Sequence, residues 1–111
     1  MSTQLYINPN PVISNGDMSQ ATVTSTVFKV PLGKYVSFEA AWTGAPTGTL
    51  VVQGSHSGTN WNTMLTCSSP PAGAAGSWLA DIDITEVPQF RILYTKSSGT
   101  GTLNATITWK Q

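Results

Sequence analysis

Lys34-Tyr35-Val36-Ser37-Phe38-Glu39-Ala40-Ala41-Trp42-Thr43 is the stretch that decides the fold class. Val36, Phe38, Ala40 and Trp42 fall on one side, with Tyr35, Ser37, Glu39 and Ala41 opposite. That two-residue period belongs to a strand with one face on a core and one in water. Thr102–Lys110 repeats it: Leu103, Ala105, Ile107 and Trp109 alternate with Thr102, Asn104, Thr106, Thr108 and Lys110. Gln89–Lys96 sets Phe90, Ile92 and Tyr94 against Arg91, Leu93 and Thr95. Ser77–Ile84 sets Trp78, Ala80, Ile82 and Ile84 against Leu79, Asp81 and Asp83.

Outward from these runs the chain stays extended. Ala21–Val30 is too rich in Thr and Val for a helix, whose backbone restricts β-branched side chains. Gln4–Asn8 reads as an opening strand closed by Pro9 and Pro11, and Thr49–Gly54 and Trp61–Thr66 as two more. The 10 Gly and 7 Pro sit almost entirely between the runs, where turns need them. No ten-residue stretch has a helical period with cap signals. About eight strands are predicted, which makes the chain an all-β, antiparallel sandwich or jelly-roll-like fold without significant helix. Residues 1–111 form a single domain, of which 1–17 is expected to be an opening strand and extended N-terminal arm. Within it Asn8–Asp17 is expected to be a loop, because it holds so many breakers, and so is Ser68–Gly76 with its small residues and Pro70-Pro71.

Composition narrows the function. Only 9% of residues are charged, against roughly 25% in an average domain. Hydroxyls replace them: 12 Ser and 16 Thr. Five Lys/Arg balance five Asp/Glu, so no dense positive field is available for nucleic acid and no basic face for an anionic membrane. The longest apolar runs, such as Leu50-Val51-Val52, fall far short of the ~20 residues that span a bilayer. Met1-Ser2-Thr3-Gln4 has neither the basic nor the apolar region of a signal peptide, and the lone Cys67 has no internal disulfide partner. These features predict a protein made in a reducing compartment.

No reaction centre emerges. His56, the one imidazole, sits in a Ser/Gly/Asn turn, and no G-x-S-x-G elbow presents a serine. Cys67, directly after a predicted strand, reads as a half-buried structural thiol. Asp81 and Asp83 share a strand face near Glu86, as solvent-facing neighbours do without any function, and five acids are too few for a strong calcium site. No phosphate-cradling motif is present. The expectation is no catalytic residue, no metal and no cofactor. Trp42, Trp78 and Trp109 fall on apolar faces and are predicted core. Trp61 follows the turn Ser57-Gly58-Thr59-Asn60 and leaves two readings open: a plug at one end of the sandwich, or a glycan platform with Asn60 and Asn62.

Two blocks carry a resemblance. Gly48-Thr49-Leu50-Val51-Val52-Gln53-Gly54-Ser55-His56-Ser57-Gly58-Thr59-Asn60-Trp61 is similar to a strand-and-turn pattern of small phage structural proteins. There T-L-x-V-Q-x-S runs into a G-T-N-W turn. Phe90-Arg91-Ile92-Leu93-Tyr94-Thr95-Lys96-Ser97-Ser98-Gly99-Thr100-Gly101-Thr102-Leu103-Asn104-Ala105-Thr106 is similar to the stretch that completes such domains. Together they resemble the capsid decoration, or staple, proteins of epsilon-fifteen-like podoviruses. The resemblance implies a jelly-roll-like domain, made in the host bacterial cytoplasm, that sits on the capsid exterior of the virion and clamps neighbouring major capsid protein subunits without enzymatic activity. Self-association as a dimer is a further expectation. The segments expected to touch the capsid are the arm, through Leu5, Tyr6, Ile7, Pro9 and Pro11, and the loop carrying Pro70 and Pro71. The alternative is a carbohydrate-binding, tail-fibre or baseplate module that recognises host glycans through Asn60, Trp61 and Asn62.

Overall fold

The structure, a computed structural model, describes residues 10–30, 34–85 and 87–110. They form nine strands in two antiparallel sheets, with no helix. The first sheet has four strands: β1 (Asn10–Asp17), β9 (Gly101–Lys110), β4 (Lys34–Gly44) and β7 (Gly76–Thr85), side by side in the order β1-β9-β4-β7. The second has five. β2 (Thr22–Thr24), β8 (Gln89–Ser98), β5 (Thr47–Ser55) and β6 (Asn62–Thr66) run in the order β2-β8-β5-β6, and β3 (Phe28–Lys29) also pairs with β8. Every link except β2–β3 and β5–β6 crosses from one sheet to the other, which is the winding of a jelly roll.

The alternation read in the sequence becomes the core. Val36, Phe38, Ala40 and Trp42 of β4 are buried, and so are Leu103, Ala105 and Ile107 of β9. They face Leu50 and Val52 of β5 and Phe90, Ile92 and Tyr94 of β8. Phe38 and Phe90 join the two sheets edge to face, with centroids 5.5 Å apart and planes at 65°. Two predicted core residues stand nearer the margin. Trp78 and Trp109 are only half-buried against the core, Trp109 tilted on Phe28 at 5.1 Å.

Two expectations are corrected. Asn10–Asp17 is not a loop: it forms β1, at one side of the first sheet, paired with β9 from Asn10↔Ile107 to Asp17↔Thr102. Its breakers are absorbed as irregularities. Pro11 is accommodated there, because a strand with one open side has amides that need no ladder partner. A register shift between Pro11 and Ile13 turns successive side chains Val12 and Ile13 both inward. Asn15 takes φ 52°, and its N–H donates to Asn104 Oδ1 at 2.9 Å. Likewise Ala21–Val30 holds two short strands rather than one; with β1 added, and the expected strand Gln4–Asn8 outside the described residues, the described strands number nine. At Ser25 the side chain intrudes into the ladder: its Oγ accepts from Ile92 N at 2.8 Å and donates to Thr26 O at 2.8 Å. Thr26 N then donates to Val12 O at 3.1 Å, across to β1 of the other sheet.

Tyr94 is fully buried, and its hydroxyl has no hydrogen-bond partner among the described residues. Burial also pushes its ionisation above the ordinary phenol range. A buried hydroxyl without a partner costs about 1–3 kcal/mol in lost hydration. Tyr94→Phe is therefore expected to leave the melting temperature unchanged or raise it at pH 7. Because the folded state resists ionising Tyr94, stability is complete below the ordinary phenol pKa and falls as pH rises beyond it. Thermal melts from pH 7 to 11 check both points: the variant should lose less stability above pH 10 than the parent, and a variant that melts well below the parent at pH 7 contradicts the account.

Candidate ligand-binding surface

The segment between β5 and β6 is a rigid turn rather than a free loop. Ser55 has the parity of Gln53 and so belongs to the outer side of the second sheet, yet it is buried, because the turn curls over it. Its Oγ accepts from Gly58 N at 2.8 Å, at a φ of 82° that suits glycine. Ser57 Oγ accepts from Thr59 N and Asn60 N at 3.1 and 3.2 Å. Gln89, the register partner of Ser55, donates through Nε2 to His56 O at 3.1 Å.

That turn delivers Trp61 to the edge of the sheet. Its Nε1 donates to Gly58 O at 3.2 Å, and the ring is half-buried. Arg91 lies against it, with the guanidinium carbon 4.4 Å from the ring centroid. Arg91 Nε in turn donates to Gln53 Oε1 at 2.7 Å across the register pair Gln53↔Arg91. Beyond this cluster the outer side is a flat field of short rows. Thr24, Leu93, Val51 and Thr66 form one row, and Thr22, Thr95 and Thr49 the next.

The predicted glycan residues thus split. Asn60 and Asn62 are exposed beside Trp61, but the indole is neither a core plug nor a free plate, since Arg91 occupies one of its faces. Sequence reasoning missed Arg91 and Gln53 as members of the cluster. Alternation puts each on an outer side, but their meeting depends on the β5–β8 register, which alternation leaves open.

The predicted capsid contacts split as well. Leu5, Tyr6, Ile7 and Pro9 lie outside the described residues. Pro11 is exposed on β1, opposite Thr106. The Ser68–Gly76 loop folds back on its own sandwich: Gly48 N donates to Pro71 O at 3.0 Å, Gly73 N to Pro46 O at 2.7 Å and Trp42 Nε1 to Ala74 O at 3.1 Å. The Pro71 side chain is fully buried there, so of the two prolines only the half-buried Pro70 offers surface, at the rim of an open groove floored by Trp42.

A different surface stands out at β7. β7 pairs with β4 alone, so no described strand covers its other side. Leu79, halfway along, is 66% exposed and neighbours Glu39.

Charges segregate. Glu39 and Asp81 share the outer side of the first sheet through the rows Thr106–Glu39–Leu79 and Thr108–Ser37–Asp81. Lys29 and Arg91 lie on the outer side of the second, Lys29 opposite Gln89. Asp17 closes the β1–β2 turn, where the Ser19 hydroxyl and amide hold its carboxyl below the usual carboxylate range. His56 is exposed on the turn, and Cys67 is buried, its thiol pushed up by desolvation. Among the described residues no three His, Cys, Asp or Glu are grouped to hold a metal ion.

No protein-family model matches the chain, and no curated protein matches it. Solved structures do. The SPBc2 prophage-derived protein YomS superposes with a TM-score of 0.59 over 97% of this chain and 98% of its own, at 10% identity. The enzymatically active domain of tailspike protein 4 of bacteriophage CBA120 gives 0.56 over 81% of this chain at 13% identity, and the chain spans only 13% of that protein. Chitosan-binding module 1 of the chitosanase/glucanase from Paenibacillus sp. IK-5 gives 0.50 over 86% of this chain and 73% of the module, at 19% identity. Such identities establish the fold alone: this chain is a β-sandwich of a form that a prophage-derived protein, a phage tailspike and a chitosan-binding module all contain.

Proposed function

We propose that the chain is a non-enzymatic structural protein of a phage virion, which binds the outside of the capsid and clamps neighbouring major capsid subunits. The observation that carries this reading is the open side of β7. Alternate residues of the strand direct main-chain N–H and C=O groups away from β4, and Leu79 stands out of the strand's outer side. A strand left open in this way is a template for pairing with a partner strand. The near-absence of charge supports docking through backbone and apolar contacts, and the end-to-end likeness to a prophage-derived protein agrees with it. Partners that bind an assembled shell but not its free subunits stabilise the shell by mass action.

The test is co-sedimentation with undecorated heads and with free capsid subunits. Binding to heads alone is expected, and it should persist to about 0.5 M salt, because screening acts on charges and barely on apolar contacts. Leu79→Lys places a charge on the open strand and should weaken retention at least tenfold with little change in melting temperature. Failure to bind heads, or copies that track with tails, overturns the clamp.

A second reading, a module that binds host glycans, is favoured by one specific feature. Trp61 is held at the surface beside Asn60, Asn62 and a guanidinium, and the likeness to a chitosan-binding module agrees with it.

A further inference from the structure

We propose that the outer side of the second sheet binds an acidic polysaccharide, with Arg91 taking a sugar carboxylate at the step formed by Arg91, Trp61 and Gln53. The inference deepens the glycan reading and rests on it.

The Arg91 guanidinium is preorganised. A guanidinium on a flexible side chain loses much of its affinity for a carboxylate to ordering. Here Gln53 takes the Nε–H and the indole supports the guanidinium 4.4 Å from the ring centroid, so the fork is fixed before any ligand arrives. No described residue accepts from either Nη of Arg91. Those donors match the two oxygens of a carboxylate, a geometry that Arg presents and Lys does not.

The field around that fork favours an anion as well. Lys29 lies on the same side of the same sheet, whereas Glu39 and Asp81 lie on the outer side of the other. Two cations, with no described acid on that side, give a modest positive bias suited to a sparsely charged chain, far from the charge density that a nucleic-acid backbone requires. A floor leads away from the step. Val51 and Leu93 are adjacent and half-buried, with Thr24 and Thr66 at either end of their row. An aliphatic centre bordered by hydroxyls suits a sugar ring, which has apolar C–H faces and a hydroxyl rim.

Electrophoresis of the full chain through native gels containing alginate, polysialic acid or neutral dextran tests the assignment. At least one acidic polymer should retard the protein, more at 20 mM than at 300 mM salt, and dextran should not. Arg91→Gln and Trp61→Ala should each lower the affinity for the retarding polymer at least tenfold, Arg91→Lys should fall between, and the charge-neutral Leu79→Ser on the other sheet should have no effect. Gln53→Ala, which frees the guanidinium without removing it, should weaken binding and serves where another variant melts. Retardation by dextran equal to that by the acids, or binding unchanged by Arg91→Gln, overturns the carboxylate assignment and leaves the glycan reading standing. Retardation by none of the three polymers overturns both.

Discussion

Gly48→Ala is expected to destabilise the fold severely. A Cβ at Gly48 would stand 2.2 Å from Thr95 O and 2.8 and 2.9 Å from Cε1 and Cζ of Tyr94. Neither neighbour can give way. The carbonyl belongs to β8, which pairs with β5 through this region, and the Tyr94 ring is wholly buried. Relief requires β5 to leave β8, and these two strands are the centre of the second sheet. A cost above about 4 kcal/mol is expected, a large part of the roughly 5–15 kcal/mol that holds a domain together. Gly73→Ala is the control. It has the left-handed φ of 87°, but a Cβ there meets only Thr47 Oγ1, at 3.9 Å. Its cost should stay near the conformational ~1–2 kcal/mol. Soluble yield and thermal melts separate the two: a Gly48→Ala protein melting within a few degrees of the parent refutes the close-approach argument.

The second large effect is Phe90→Ala, at about 3–5 kcal/mol. The ring is fully buried, and its edge-to-face contact with Phe38 is a direct bond between the sheets. Removing it leaves a void walled by two sheets whose spacing is fixed by the rest of the core, so the site collapses poorly. Phe38→Ala should cost a similar amount, and the double variant less than the sum, because each single change already destroys the shared contact. Urea unfolding of the three variants gives the coupling directly. Strict additivity would show that the pair contributes only through its separate burial.

How far the sequence could be read depends on what each feature rests on. β4, β8 and β9 were legible because their inner sides are continuously apolar, and period alone assigns Phe38, Ile92 or Ile107 to the core. β1 was hidden because a strand with an open side tolerates Pro11 and a bulge, so its residues looked like punctuation. Ser25 was opaque for another reason: its hydroxyl substitutes for a backbone group only once β8 is beside it. The candidate site was legible in half. Trp61 and its asparagines stand together in the chain, whereas Arg91 and Gln53 join them through strand register, a long-range property that local pattern does not encode. Pro71 failed similarly, since a Pro-Pro loop of small residues gives no sign that it will fold back against Gly48.

The winding of the sheets has a consequence for how the molecule comes into being. β9 lies between β1 and β4, and β8 lies between β2 and β5. One of the two central strands of each sheet is therefore supplied by residues 89–110, while every strand that these two join has been synthesised before them. Until those residues leave the ribosome, β1 has no ladder partner among the described strands, and neither do β2 and β3. Only the β5–β6 hairpin pairs strands adjacent in the chain, so it is the natural first structure, and the rest must close long loops. Completion of the sandwich thus waits on residues 89–110, and folding is expected to be slow, on the order of milliseconds to seconds. During that interval the nascent chain displays unpaired strands to its neighbours, and crowding many copies together at high temperature should favour aggregation over assembly.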